Sequence, residues 1–218
     1  GTRTLSFQIK KKNLVKLDAA GKPMKDAAGK SIAATGVFVS KPVNPAYTGS
    51  AIKPAITVMC GAYTLKAGRD YTISYSNNTK AGSVAKVKII GKGNYTGTYE
   101  TSFTVLKKTF PANWENRSDI KVTVPALEEK NSKQAIPTIT VQIGTKKLKK
   151  GTDYTVTLVN NDGEPLNEQK VQAAGNYRLA IEGANNYQGT MYTQLRVVDK
   201  NKLLKNASVT IRKSKPYA

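Results

Sequence analysis

"GKGNYTGT" runs from Gly91 to Thr98, and "GANNYQGT" runs from Gly183 to Thr190, ninety-two positions further on. The fold turns on how this Gly-x-x-Asn-Tyr-x-Gly-Thr string is read. A phosphate-cradling loop needs a helix after its glycines, so that N-terminal amides point at the anion. Neither string is followed by a helical stripe. Phe103 and Val105 alternate with Ser102 and Thr104 after the first, and Leu195 and Val197 stand two apart after the second. That is a strand. Glycine supplies permissive backbone and Asn94 tolerates turn conformations, so the string reads as a turn between strands at 84–90 and 98–105. Tyr95 offers an apolar body to pack over the end of a sheet and a hydroxyl for a backbone partner.

The duplication extends outward. "IKPAITVMCGAYTLKAGRDYTISYSNN" (Ile52 to Asn78) matches "AIPTITVQIGTKKLKKGTDYTVTLVNN" (Ala135 to Asn161) at a constant offset of 83. Pro54 falls on Pro137, Leu65 on Leu148, Gly68 on Gly151, and Asp70-Tyr71-Thr72 on Asp153-Tyr154-Thr155. Beyond the paired asparagines the second copy carries extra residues and the offset becomes 92. A fixed spacing interrupted by one insertion is how a duplicated domain looks. Within each copy, apolar and polar residues trade places at period two. Tyr71, Ile73 and Tyr75, then Ala85, Val87 and Ile89, form one set; Tyr154, Val156 and Leu158, then Tyr177, Leu179 and Ile181, form the other. Such alternation predicts half-buried antiparallel strands and an all-β fold. Short strands punctuated by Gly, Asn and Asp predict antiparallel β-sandwich domains of about 70–90 residues, arranged in tandem and elongated.

Tyr47 to Val105 resembles the Ig-like repeats of large surface proteins of Gram-positive bacteria. Those repeats carry Tyr-Thr-Gly, Gly-x-Asp-Tyr-Thr-Val, Asn-Asn, Gly-x-Gly-Asn-Tyr-x-Gly and a closing Phe-x-Val strand. The second copy departs from the pattern: it lacks Tyr-Thr-Gly near 130–132 and has Ala184-Asn185 where the first has Lys92-Gly93. The two copies cover about three quarters of the chain. The resemblance implies a secreted, wall-attached bacterial protein with a role in adhesion, and no catalytic residues.

The ends align with the same array. Gly1–Lys12 matches Gly97–Lys108, so residues 1–34 are expected to hold the closing strand of a preceding repeat plus a linker. In that linker Asp-Ala-Ala-Gly-Lys occurs twice. Residues 35–107 form the first Ig-like repeat. Residues 108–199 form the second, with its loop insertion near 162–170. Residues 200–218 are expected to open a further repeat, and the end strands (apolar at Leu5, Phe7 and Ile9, and at Val209 and Ile211) to dock on the adjacent copies. Any export signal or wall anchor is expected outside this sequence.

Composition bounds the chemistry. Thirty-five basic residues face fourteen acidic ones, for a net charge of +21, and there is no histidine. A Ser-His-Asp or Cys-His arrangement is therefore impossible. The single cysteine, Cys60, is in phase with Ile56 and Val58 and reads as a buried small hydrophobe. No cofactor or metal set is legible. Asp70 and Asp153 occupy the same place in each copy, which favours a strand-start role over a catalytic pair. A Lys–Asn isopeptide crosslink needs a buried lysine beside a buried acid, and Glu182 is the one acid near the end of a core strand. Trp114, between the copies, is a candidate for interdomain packing or for stacking a ligand. No apolar run reaches the roughly 18 residues of a membrane span.

Residues 1–34 and 200–218 together hold a net twelve of the positive charges, nearly all lysine. Lysine favours diffuse attraction over bidentate phosphate recognition. Lys10, Lys11, Lys12, Arg212, Lys213 and Lys215 are candidate weak contacts for a polyanion. The partners expected are anionic polymers of the cell wall, or host glycans and matrix proteins, and not a specific nucleic acid. The function expected is a non-catalytic structural spacer or adhesive segment. The alternative is a carbohydrate- or polyanion-binding accessory module of a secreted enzyme.

Overall fold

Alternating residues pair as the periodicity requires. The computed structural model describes Arg3, Thr4 and residues 6–199, and the chain divides into two compact units, Gly1–Lys108 and Thr109–Ala218. Among the described residues the regular elements are strands, apart from one 3-10 turn at Trp114–Asn116. The protein is all-β.

The first unit contains β1 (Lys12–Asn13), β2 (Val37–Val39), β3 (Val58–Cys60), β4 (Tyr63–Thr64), β5 (Tyr71–Ser76), β6 (Val84–Gly91), β7 (Tyr95–Thr96) and β8 (Thr98–Thr104). One antiparallel sheet has the order β5-β6-β8 and another the order β2-β3-β4. The register sets Ile73 opposite Ile89 and Tyr75 opposite Val87, with Ala85 opposite Phe103. Ala85, Val87 and Ile89 are fully buried while Lys86 and Lys88 between them are exposed. Val58, Tyr71, Phe103 and Val105 are buried as well. Ile56, Ile73 and Cys60 are only half-buried. Cys60 ends the short strand β3, where cover from the core runs out, so it is not the fully buried hydrophobe that its phase predicts.

Two sequence expectations fail at the start of the chain. No strand forms through Phe7 and Ile9, which are 86% and 85% exposed. An alternating pattern supplies an apolar face but not a surface to cover it. Pairing begins only at β1, whose residues lie parallel to β7. Leu5, Val209 and Ile211 lie outside the described residues.

The second failure concerns the linker, which is built into the unit. Leu14 and Val15 are buried at 0% and 1% exposure. Bridges join Val15 to Ala33, Leu17 to Pro23 and Lys25 to Ser31. Both Asp-Ala-Ala-Gly-Lys segments form the same turn. The amides of Gly21 and Gly29 donate to the carbonyls of Asp18 and Asp26, and the amides of Asp18 and Asp26 donate to the carbonyls of Lys22 and Lys30. Each aspartate Oδ1 accepts two further amides, from Ala20 and Lys22 or from Ala28 and Lys30. Gly21 and Gly29 have φ of +77° and +73°, which makes each a type I turn closed by a left-handed residue. The Ser31 amide donates to the Glu100 carbonyl (2.8 Å) and the Glu100 amide to Ser31 Oγ (2.9 Å). The segment thereby covers the β8 edge of the sheet. Amide hydrogen exchange should accordingly find Lys16, Ser31 and Ile32 protected and residues 6–11 unprotected; equal fast exchange in both stretches would contradict this packing.

β9 (Lys108–Thr109) straddles the division, and the second unit contains β10 (Ile120–Thr123), β11 (Leu127–Glu128), β12 (Gln134–Ala135), β13 (Thr140–Ile143), β14 (Lys146–Lys147), β15 (Tyr154–Val159), β16 (Lys170–Val171), β17 (Gly175–Gly183), β18 (Tyr187–Gln188) and β19 (Thr190–Val198). Its larger sheet has the order β11-β19-β17-β15 and a second has β10-β13-β14. Ile139, Val141, Leu158, Leu179, Ile181, Met191 and Leu195 are fully buried. Past Val159, Asn160–Glu164 repeats the turn of the first unit, with Asn160 Oδ1 accepting the amides of Asp162 and Glu164 and Gly163 at φ +91°.

The duplicated octapeptides are turns with the same geometry. The amides of Gly91 and Gly183 donate to the carbonyls of Gly97 and Gly189, each at 2.9 Å. A Cβ on Gly91 would lie 2.5 Å from the Thr96 nitrogen, and one on Gly183 would lie 2.6 Å from the Gln188 nitrogen. Each first glycine is therefore required by the approach of the returning backbone. Gly97 and Gly189 are required by φ of +86° and +83°. Asn185 stands where the first copy has Gly93, and their φ values are +54° and +64°. Asparagine tolerates this left-handed conformation, so the departure from the repeat pattern leaves the turn intact.

Candidate functional site

A cleft of about 590 Å³ in the second unit lies on the sheet of β15, β17 and β19. Leu158, Val159 and Leu166 line it together with Glu115, Asn161, Asn176, Arg178, Tyr192 and Gln194. The alternation that sends Leu179 inward turns Arg178 outward, and the same parity brings Tyr192 to the surface beside buried Met191. The Arg178 guanidinium stacks 4.1 Å over the Tyr192 ring and donates to the Asn161 carbonyl. Tyr192 is 39% exposed. Gly163 allows the Asn160–Glu164 turn to close on it, since a Cβ there would lie 2.8 Å from the tyrosine hydroxyl. Tyr177 is fixed by its hydroxyl, which donates to the Ala173 carbonyl at 2.9 Å.

An aromatic ring held by a guanidinium, three side-chain amides and one carboxylate can bond and stack a polar, ring-shaped ligand. Glu115 is the one carboxylate lining the cleft. Two carboxylates flanking a bond, the arrangement for glycoside hydrolysis, are not brought together there.

Trp114, the sequence candidate, does not line the cleft but helps to shape it. Its indole N–H donates to the Tyr192 carbonyl at 2.9 Å, and the ring is half-buried within the second unit. Its neighbour Glu115 lines the cleft. Sequence reasoning missed Arg178 and Tyr192. The available signal was their outward parity on adjacent strands, but parity alone does not distinguish a cleft from a solvated face.

Lys10, Lys11 and Lys12 are exposed at the entry to the first unit, and Lys12 Nζ donates to the Thr35 carbonyl at 2.7 Å. Arg212, Lys213 and Lys215 lie outside the described residues. Glu182 is exposed on β17, so it lacks the burial that an isopeptide crosslink requires. Among the described residues no group of three metal-ligating side chains lies together, and no helix is long and apolar enough to cross a membrane.

Asp70 and Asp153 open β5 and β15 as strand-start caps. Asp70 Oδ2 accepts the Lys66 amide and Asp153 Oδ2 the Lys149 amide, at 2.8 and 3.0 Å. The backbone carbonyls of the two aspartates accept the amides of Lys92 and Ala184, which ties each cap to the glycine turn. Arg69 forks onto the Asp70 carboxylate at 2.9 and 2.8 Å. The Arg69 guanidinium, helped by the Lys66 amide, holds that carboxyl down from the ordinary 3.8 to about 2. A depressed native pKa contributes stability above the unfolded value and loses it as the pH falls through the native one. The first unit should thus lose stability between about pH 4 and pH 2. Asp70→Asn should flatten this part of a pH–denaturation profile, and an unchanged profile would show that the pair is uncoupled from folding.

No protein-family model matches this sequence, and no curated protein or solved structure is similar enough to count as a match.

Proposed function

We propose that the chain is a non-catalytic spacer and adhesive segment of a bacterial cell-surface protein, made of two tandem Ig-like β-sandwich modules. One observation carries this reading. The residues shared between the sequence copies are used on architecture: Asp70 and Asp153 cap equivalent strands, and Gly91 and Gly183 close equivalent turns. What the copies share holds strands in register, and Arg178 and Tyr192 of the candidate cleft are not among it, since Lys86 and Glu100 stand at their places in the first copy. The resemblance to surface repeats supports an extracellular setting, where such modules hold another domain away from the wall.

The alternative, a ligand-binding accessory module, is favoured by the Arg178–Tyr192 cleft alone. A glycan, wall-polymer and matrix-protein array probed with the purified chain separates the two. The spacer reading expects no selective neutral-glycan signal that depends on Arg178. Selective binding abolished by Arg178→Ala would establish the second unit as a recognition module and displace the spacer reading.

A further inference from the structure

We propose that the first unit binds a linear acidic polysaccharide in the groove between the Lys25–Ser31 hairpin and the solvent face of the β5-β6-β8 sheet. The groove is about 420 Å³ and carries Lys25, Lys30, Lys86 and Lys88. Its one carboxylate, Glu100, is already bound by Lys25 at 3.0 Å. The charge is therefore strongly positive where it lines the groove. The wider field has the same sign, since residues 1–108 hold eighteen basic and four acidic side chains. Such a field concentrates anions at a concave surface.

The register turns this charge into a pattern. Lys86 stands opposite Ser76 on one side and Ser102 on the other, and Lys88 stands opposite Ser74 and Glu100. Two rungs result, each with an ammonium at its centre: Lys86 has a hydroxyl on both sides, and Lys88 has a hydroxyl on one side and the Glu100 carboxylate on the other. Along the strand the two lysines are about 7 Å apart, twice the rise per residue. A polymer alternating acidic groups with sugar hydroxyls matches both elements. The hairpin wall is fixed in place, because Ser31 is 5% exposed and bonded to Glu100 in both directions. No aromatic side chain lines the groove, so it offers nothing on which nucleobases would stack. Lysine in place of arginine also gives no fork for a phosphate.

This inference does not depend on the cell-surface reading, because its test uses the purified full chain. The probes are a size-defined heparin oligosaccharide, an oligogalacturonate and neutral dextran at about 0.1 M salt, where screening still leaves charge effective over about 10 Å. Lys86→Gln/Lys88→Gln is expected to weaken binding of the acidic saccharides about tenfold, while Lys53→Gln/Lys80→Gln, with the same charge removed elsewhere in the first unit, changes it less than about twofold. Both lysine pairs are exposed, so an unchanged melting temperature verifies the fold of each variant. Dependence seen with the oligogalacturonate, which carries carboxylate alone, shows that carboxylate suffices; dependence seen only with heparin, which carries both groups, shows that sulfate is needed. Equal loss in the two variants would overturn the groove in favour of diffuse charge. Absence of binding by the unaltered chain would overturn it outright. A phosphodiester polymer that outcompetes both saccharides at Lys86 and Lys88 would overturn the assignment to a polysaccharide.

Discussion

Leu14→Ala is expected to destabilise the first unit by about 2–5 kcal/mol, the cost of a lost leucine side chain plus the cavity it leaves. Leu14 is fully buried, and the chain on either side of it is bonded into the unit. Its amide donates to the Thr96 carbonyl at 2.9 Å and its carbonyl accepts the Ala34 amide at 3.2 Å. Relaxation into the gap is therefore restricted. The matched control is Phe7→Ala. Phe7 belongs to the alternating Leu5, Phe7 and Ile9 pattern but is 86% exposed, and its loss should stay within about 0.5 kcal/mol. Chemical denaturation followed by tyrosine fluorescence measures both. Small, equal effects would return residues 14–34 to the status of a linker.

The second large effect is expected at the duplicated turns. Gly91→Ala places a methyl group 2.5 Å from the Thr96 nitrogen and 2.7 Å from its Cα. Backbone cannot swing aside as a side chain can, so the cost should reach the top of the roughly 1–3 kcal/mol range for overpacking or exceed it. Gly183→Ala should behave alike, since its nearest atom is also backbone, at 2.6 Å. Gly61→Ala provides the contrast. That glycine has φ +59° and open space around it, so only left-handed strain remains, about 1–2 kcal/mol. If all three variants lose the same stability, close approach is not the reason for the first glycine of the string.

The most legible property in the sequence was parity. Val58, Val87, Ile89, Leu179 and Ile181 are buried as the period-two pattern predicts, because in a strand the side-chain direction is a local property of the backbone. The glycine–asparagine punctuation was legible for the same reason, although Asn185, read as a departure from the pattern, takes the conformation of Gly93. Phe7 and Ile9 show the limit of that signal. Their alternation equals that of buried strands, yet burial needs a second surface, and no local pattern states whether one is supplied. The Asp-Ala-Ala-Gly-Lys repeats show the converse. Their composition reads as loop, and each is a turn, but hydrogen bonds to Glu100, some seventy positions away, make the pair of turns a wall of the unit.

The candidate sites belong to the same category. Arg178 and Tyr192 are fourteen residues apart in sequence, and the register of β17 on β19, with the Asn160–Glu164 turn above them, brings them within stacking distance. Lys25 and Lys86 meet across a groove only because Ser31 fastens a hairpin to the edge of β8. An all-β chain, the inward and outward face of its strands and the chemistry of its turns were legible from local pattern, because each is set by interactions spanning a few residues. Tertiary structure alone decided which apolar faces are covered, which loops become walls and which charges share a cavity, because each of these depends on surfaces brought together from distant parts of the chain.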